Sequence, residues 1–251
     1  MKEVVRTLPH ESTIFLKVNL HLAAGNDSEN AVKNDTVAAC EFLVQENAKA
    51  AVIACNTATV VTLDHPSQKY SLPIIGVIEP TAKTALNATN NRRIGVVGTD
   101  MTIRSNAYPR ALKGLNQNMV VNSKACPLLV PMIEEGLVKS EATRIVAFEY
   151  LKEFQVEDVD TLILGCTHYS SIRHMFSKGL PNVTLIDSGP CTVNDAKRKL
   201  VEARSINKVS EPLSYTFYAT ELNAQFRRVT RFAFGGDFSA IQLDFKKANL
   251  S

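Results

Sequence analysis

No apolar run in the 251 residues approaches the roughly 20 needed to cross a bilayer, so no transmembrane helix is expected. The opening, MKEVVRTLPHE, is charged and has none of the apolar core of a signal peptide, which sets the expectation of a cytosolic chain. Charge of one sign is also scarce. Lys and Arg number 28 against 25 Asp and Glu, and a net charge of +3 gives no reason to expect nucleic-acid or membrane partners. The five cysteines, Cys40, Cys55, Cys126, Cys166 and Cys191, contain no C-x-x-C pair. Their odd number argues against a complete disulfide framework, so they are expected to be reduced. Cys166 and His168 lack the closely spaced companions of a structural zinc site, and no metal is expected.

What the sequence has is apolar material, 45% of its residues, distributed in short runs. STIFLKV (12–18), AAVIA (50–54), PIIGVI (73–78), RIGVVG (93–98), MVVNS (119–123), TLILG (161–165), VTLID (183–187) and SYTFYA (214–219) read as strands. Most are continuous in apolar character, as strands of a parallel sheet covered on both faces are. Helical or part-helical spacing falls between them, at 35–46, 67–70, 101–115, 141–154 and 192–205. Strand and helix alternate, so the class is α/β. The length allows one large or two small domains.

Two segments repeat one design. AAVIACNTAT (50–59) and TLILGCTHYS (161–170) each carry a buried apolar run, a small residue, a cysteine and then threonine-bearing polar residues. The cysteines, Cys55 and Cys166, are 111 positions apart, each where a strand would hand over to a helix. In open parallel sheets, ligands sit beyond the carboxyl ends of the strands. A helix starting just after either cysteine would aim its positive end at the sulfur and favour the thiolate. Most cysteines in α/β cores are simply small buried hydrophobes, and that reading suffices for Cys40 and Cys191. Asn56 and Thr57 after one cysteine, with Thr167 and His168 after the other, suit a polar pocket better than a core. The pair therefore reads as two acid/base groups facing each other across a cleft.

These residues carry a resemblance. ACNTAT and GCTHY look like the two cysteine motifs of glutamate racemase, within the aspartate/glutamate racemase superfamily. SNAY (105–108), ACPLLVPMIEEG (125–136) and LIDSGPCT (185–192) resemble further family segments in the same order and spacing, so the likeness spans nearly the whole chain. It implies a cofactor-independent racemisation of glutamate that supplies the D-isomer for peptidoglycan. One thiolate removes the α-proton while the opposite thiol returns a proton to the other face. Carried over position by position, Cys55 and Cys166 match the catalytic cysteines, and Glu134 and His168 match an auxiliary carboxylate and imidazole. Asn56, Thr57 and Thr167 match substrate-binding positions. The implied architecture is two pseudo-symmetric parallel-sheet α/β domains with the site in the cleft between them, each giving one cysteine. Here they would be 1–78 with 188–251, and 79–187. The implied partner is the small-molecule substrate glutamate, and the resemblance admits a homodimer.

The departures from the family pattern are two. Family members open with a strand and an Asp-Ser-Gly turn whose aspartate assists the first cysteine; Met1 aligns after that turn. Where the family has Gly-Asp and later Pro-Tyr-Gly, a loop that closes on substrate, this chain has Lys17 and Val18, then Ala23 and Ala24 before Gly25. Only Gly25 keeps its match. The expectation is a racemase homologue whose activity is impaired, with Cys55 poorer in partners than Cys166. The alternatives are an inactive or regulatory relative, and a superfamily enzyme acting on aspartate or another carboxylate.

Overall fold

The continuous apolar runs do form parallel strands. The computed structural model describes residues 2–18, 29–62, 70–207, 213–223, 226–227 and 239–245, and its contacts divide the chain into two units. Met1–Ile53, Val61–Ile75 and Val193–Ser251 make the first, and Ala54–Val60 with Gly76–Thr192 the second. The short piece 54–60 thus groups with the second unit, so Cys55 and Cys166 lie in the same one, whereas the sequence reading gave one cysteine to each domain.

In the first unit α1 (Lys2–Thr7) leads to β1 (Thr13–Lys17), which pairs in parallel with β8 (Tyr215–Ala219), and β8 pairs in parallel with β9 (Ile241–Gln242). β2 (Ala51–Ile53) and β3 (Ile74–Gly76) form a separate two-stranded sheet among the described residues. Helix α2 (Glu29–Gln45) is longer than its spacing predicted. Its Ala38 and Phe42 pack on Ile14, Leu16 and Tyr218, with the Phe42 and Tyr218 rings edge-on at 4.8 Å. A buried carboxylate fastens the unit's two sequence ends. Glu11 accepts from the Asn207 N–H at 2.8 Å and pairs with the Lys49 ammonium at 2.7 Å.

The second unit is one four-stranded parallel sheet in the order β5-β4-β6-β7: β4 (Arg93–Gly98), β5 (Val120–Ala125), β6 (Thr161–Gly165) and β7 (Thr184–Asp187). Its central strands alternate their apolar side chains between two cores, which is why, past Arg93 and Thr161 at their starts, they carry only apolar residues and glycine. Val97, Leu162 and Leu164 face α7 (Leu129–Glu134), α8 (Glu141–Val156) and α9 (Arg173–Gly179). Ile94, Val96 and Ile163 face α4 (Ile78–Ala88) and α6 (Ala107–Leu115). Helix α10 spans Ser188–Glu202, and its residues from Val193 on group with the first unit.

The expected helix over 101–115 is two helices, α5 (Asp100–Arg104) and α6. Asn106 breaks it by taking a left-handed φ of 55°, a conformation asparagine tolerates better than most residues. The Ser105 hydroxyl donates to the Thr102 carbonyl, and Pro109 then sits in the first turn of α6, where its missing N–H costs nothing. The expected helix at 67–70 falls mostly on residues outside those described. No helix among the described residues is long and apolar enough to cross a membrane.

Candidate active site

The chain leaves β4 for β5 on one side and then crosses to β6 on the other, so the strand order reverses between β4 and β6. That reversal opens a crevice at the carboxyl ends of the two strands, the usual ligand position in such sheets. Gly98 and Gly165 are register partners at the ends of these strands. The next residues are Thr99 and Cys166. Cys55 ends the turn after β2, and α3 (Asn56–Thr62) begins directly behind it. A 3₁₀ turn (Thr167–Ile172) begins behind Cys166. Both cysteines therefore stand where a strand gives way to a helical turn, as their flanking residues predicted.

Around Cys166, which is buried, the sulfur lies 3.7 Å from Nδ1 of His168. Nε2 of the same ring lies 3.4 Å from Oε1 of Glu134, at the end of α7. Burial alone would lower the imidazole's pKa. The hydrogen bonds to Cys166 and Glu134, and the charges behind them, outweigh it and push the imidazole up to about 10. His168 thus holds a proton at neutral pH between a carboxylate and a sulfur. Tyr169, fully buried, fixes the turn by donating to the Cys126 carbonyl at 3.1 Å. Thr167 is exposed.

Around Cys55, the Ala58 N–H of α3 points at the sulfur from 3.5 Å. Burial raises the thiol's pKa; the Ala58 N–H and Thr57 lower it in part, and the charge of Cys166 raises it further. Thr57 is buried and its hydroxyl lies 2.9 Å from that of Thr99 and 3.4 Å from that of Thr102. The Thr59 hydroxyl donates to the Cys55 carbonyl at 2.9 Å. Asn56 is 2% exposed, and its Oδ1 accepts from the Tyr108 hydroxyl at 2.7 Å. Among the described residues its Nδ2 has no hydrogen-bond partner, an expensive state for a buried donor unless a ligand fills it.

Of the eight residues singled out from sequence, Cys55, Asn56, Thr57, Glu134, Cys166, Thr167 and His168 all lie in the second unit. Gly25 lies outside the described residues. Lys17, the departure at the end of β1, sets its ammonium 5.5 Å from the Phe226 ring within the first unit. Sequence reasoning missed Thr99, Thr102 and Tyr108, which furnish the Cys55 side from another part of the chain. One signal for the threonines was present: VGTDMT (97–102) repeats the pattern of an apolar strand, a glycine and then hydroxyl residues. Among the described residues no group of three or more His, Cys, Asp or Glu is placed to hold a metal ion.

The profile of the Asp/Glu/Hydantoin racemase family matches residues 1–196. The chain belongs to this family. A glutamate racemase from Geobacter metallireducens is 36% identical over 251 residues, covering 98% of this chain and 93% of the relative. One from Lactiplantibacillus plantarum is 38% identical over 247 residues, covering 97% and 90%. Among solved structures, a glutamate racemase isoform from Bacillus anthracis superposes with a TM-score of 0.91 at 34% identity, covering 97% of this chain and 91% of that one. The Francisella tularensis glutamate racemase, solved in complex with D-glutamate, gives 0.90 at 30% identity over 98% and 92%. An isomerase assignment follows from membership, because racemisation is the family's named activity.

Proposed function

We propose that this chain interconverts L- and D-glutamate by proton transfer between Cys55 and Cys166, without a cofactor, and so supplies D-glutamate for peptidoglycan in the cytoplasm. The observation that carries the reading is the pair of cysteines at strand-to-helix junctions of one unit, with His168 and Glu134 behind Cys166 and the buried Asn56 and Thr57 behind Cys55. Inversion at Cα needs a base on one face and an acid on the other. A thiolate takes the α-proton, leaving a near-planar carbanion conjugated with the carboxylate, and the opposite thiol donates its proton to the far face. The thiol becomes thiolate and the thiolate thiol, so the site is set for the reverse reaction.

Each positioned acid or base contributes on the order of 10²–10⁴ in rate. His168 would pass its proton to the Cys166 sulfur and recover it, with Glu134 holding the imidazolium in place. The Asn56 amide and the hydroxyls of Thr57 and Thr167 would bind the substrate's carboxylates and ammonium group. The named ligand of the Francisella relative, D-glutamate, supports the substrate. The test is glutamate α-proton exchange in D₂O followed by NMR. Exchange that Cys55→Ala or Cys166→Ala each abolishes supports the reading; exchange that survives either substitution defeats it.

A further inference from the structure

Asn56 can be correctly oriented only if something decides which end of its amide faces outward. A carboxamide carries an acceptor at one end and two donors at the other, and the two ends are alike in size. Tyr108 decides it. The phenol is fully buried in the core shared by α4, α6, β4 and β6, and burial raises its pKa well above the ordinary value, with the Thr81 hydroxyl beside it working in the opposite sense. Its hydroxyl donates to Oδ1 of Asn56 at 2.7 Å, and this bond turns Oδ1 inward. Nδ2, buried and with no partner among the described residues, is left with its two N–H groups turned outward. An anionic oxygen is the acceptor that would offset that cost most fully.

The same residue abuts the other cysteine motif. A side chain at Gly165, directly before Cys166, would meet the Tyr108 ring at 3.2 Å. One tyrosine thus holds Asn56, the neighbour of Cys55, through its hydroxyl, and underlies Gly165, the neighbour of Cys166, through its ring edge.

We infer that Tyr108 is a positioning residue that locks the Asn56 amide with its N–H groups outward, presetting a donor pair for a substrate carboxylate. The inference rests on the glutamate reading and adds a role to a residue outside both cysteine motifs. Without the hydroxyl, the amide can rotate and present its carbonyl to the carboxylate, a repulsive arrangement. Substrate binding weakens while the sulfurs stay in place.

The test is Tyr108→Phe, which keeps the ring under Gly165 and removes only the donor. The expected result is a rise in KM for both glutamate enantiomers of about tenfold, the worth of one buried hydrogen bond, with kcat little changed. In an Asn56→Ala background the same substitution should leave D-glutamate affinity, measured by calorimetry, unaltered, since the amide it orients is gone. Equal losses of affinity in both backgrounds, or a fall in kcat with KM unchanged, overturn the inference. If Tyr108→Phe does not fold, 3-fluorotyrosine at position 108 reads the same bond. Its ¹⁹F resonance should move on adding D-glutamate, and a resonance indifferent to saturating D-glutamate overturns the inference. Wild-type chain that neither exchanges the α-proton nor binds glutamate overturns the functional reading itself, which separates that failure from this one.

Discussion

His168 and Glu134 meet at 3.4 Å, Nε2 to Oε1, while the other ring nitrogen faces the Cys166 sulfur. The carboxylate is one of two partners that together outweigh burial and hold the imidazole at about 10. Glu134→Gln keeps the shape and removes the charge. The His168 pKa should fall toward its ordinary 6.5, which a ¹⁵N-detected histidine titration reads directly. The alkaline limb of the kcat profile should move to lower pH with it. An unchanged histidine titration would show that Cys166 alone sustains the imidazolium.

The same shift makes a stability statement. A group whose folded pKa lies above its unfolded value contributes fully below the unfolded value and loses that contribution as the pH rises through the folded one. For His168 the window runs from 6.5 to about 10. Wild-type chain should therefore exceed His168→Gln in urea midpoint by most near pH 6, and the gap should close toward pH 10. A gap that widens over this range would contradict the arrangement. Cys126, whose thiol burial pushes up to about 12 against the lowering pull of Lys124, also weakens the fold at high pH in both proteins, so the quantity compared is the difference between them.

How much of this was legible in the sequence depended on how local each cause was. RIGVVG and TLILG are covered on both faces, so after the opening Arg93 and Thr161 each residue is apolar or glycine, and both strands match residue for residue as read. The cysteine motifs announced themselves because their polar residues follow directly in the chain. The break within the 101–115 stretch was not legible because the conformation of Asn106 is a backbone choice that helical periodicity does not encode. Thr99 and Tyr108 stood in readable segments, VGTDMT and SNAY, but what they touch was hidden for another reason. They reach Thr57 and Asn56 across 42 and 52 positions, and such proximity is created by the order of strands, not by spacing.

Thr99 serves two structures at once. Its side chain caps α5 by accepting from the Thr102 N–H at 3.3 Å, and its hydroxyl contacts those of Thr57 and Thr102 at 2.9 and 3.0 Å. Thr99→Val keeps the volume and removes both functions. Loss of the cap should cost about 1 kcal/mol in urea unfolding. Thr57, with one partner fewer, should hold Cys55 less firmly and slow α-proton exchange. Thr99→Ser retains the hydroxyl and should restore both; if Thr99→Ser behaves like the valine variant, shape rather than hydrogen bonding is responsible.

Gly165 is where geometry leaves the least room. A Cβ there would stand 2.7 Å from the Val97 carbonyl oxygen and 3.2 Å from the Tyr108 ring. The first neighbour is backbone in the adjacent strand and cannot rotate away. Gly165→Ala must therefore push β6 from β4 or tip the ring, at about 1–3 kcal/mol as for other overpacked interiors. The residue displaced first is Cys166, next in the chain. Misplacing a reacting group by about 1 Å can cost on the order of 10²-fold in rate, so exchange should fall more steeply than stability. Gly114→Ala is the matched control: the glycine lies in α6, exposed, with nothing within 4 Å of an added Cβ. There the better helix former should raise stability by about 1 kcal/mol and leave exchange alone. Opposite signs for one chemical change would assign the Gly165 effect to the close approach of β4 and β6 beside the sulfur, and like signs would reject it.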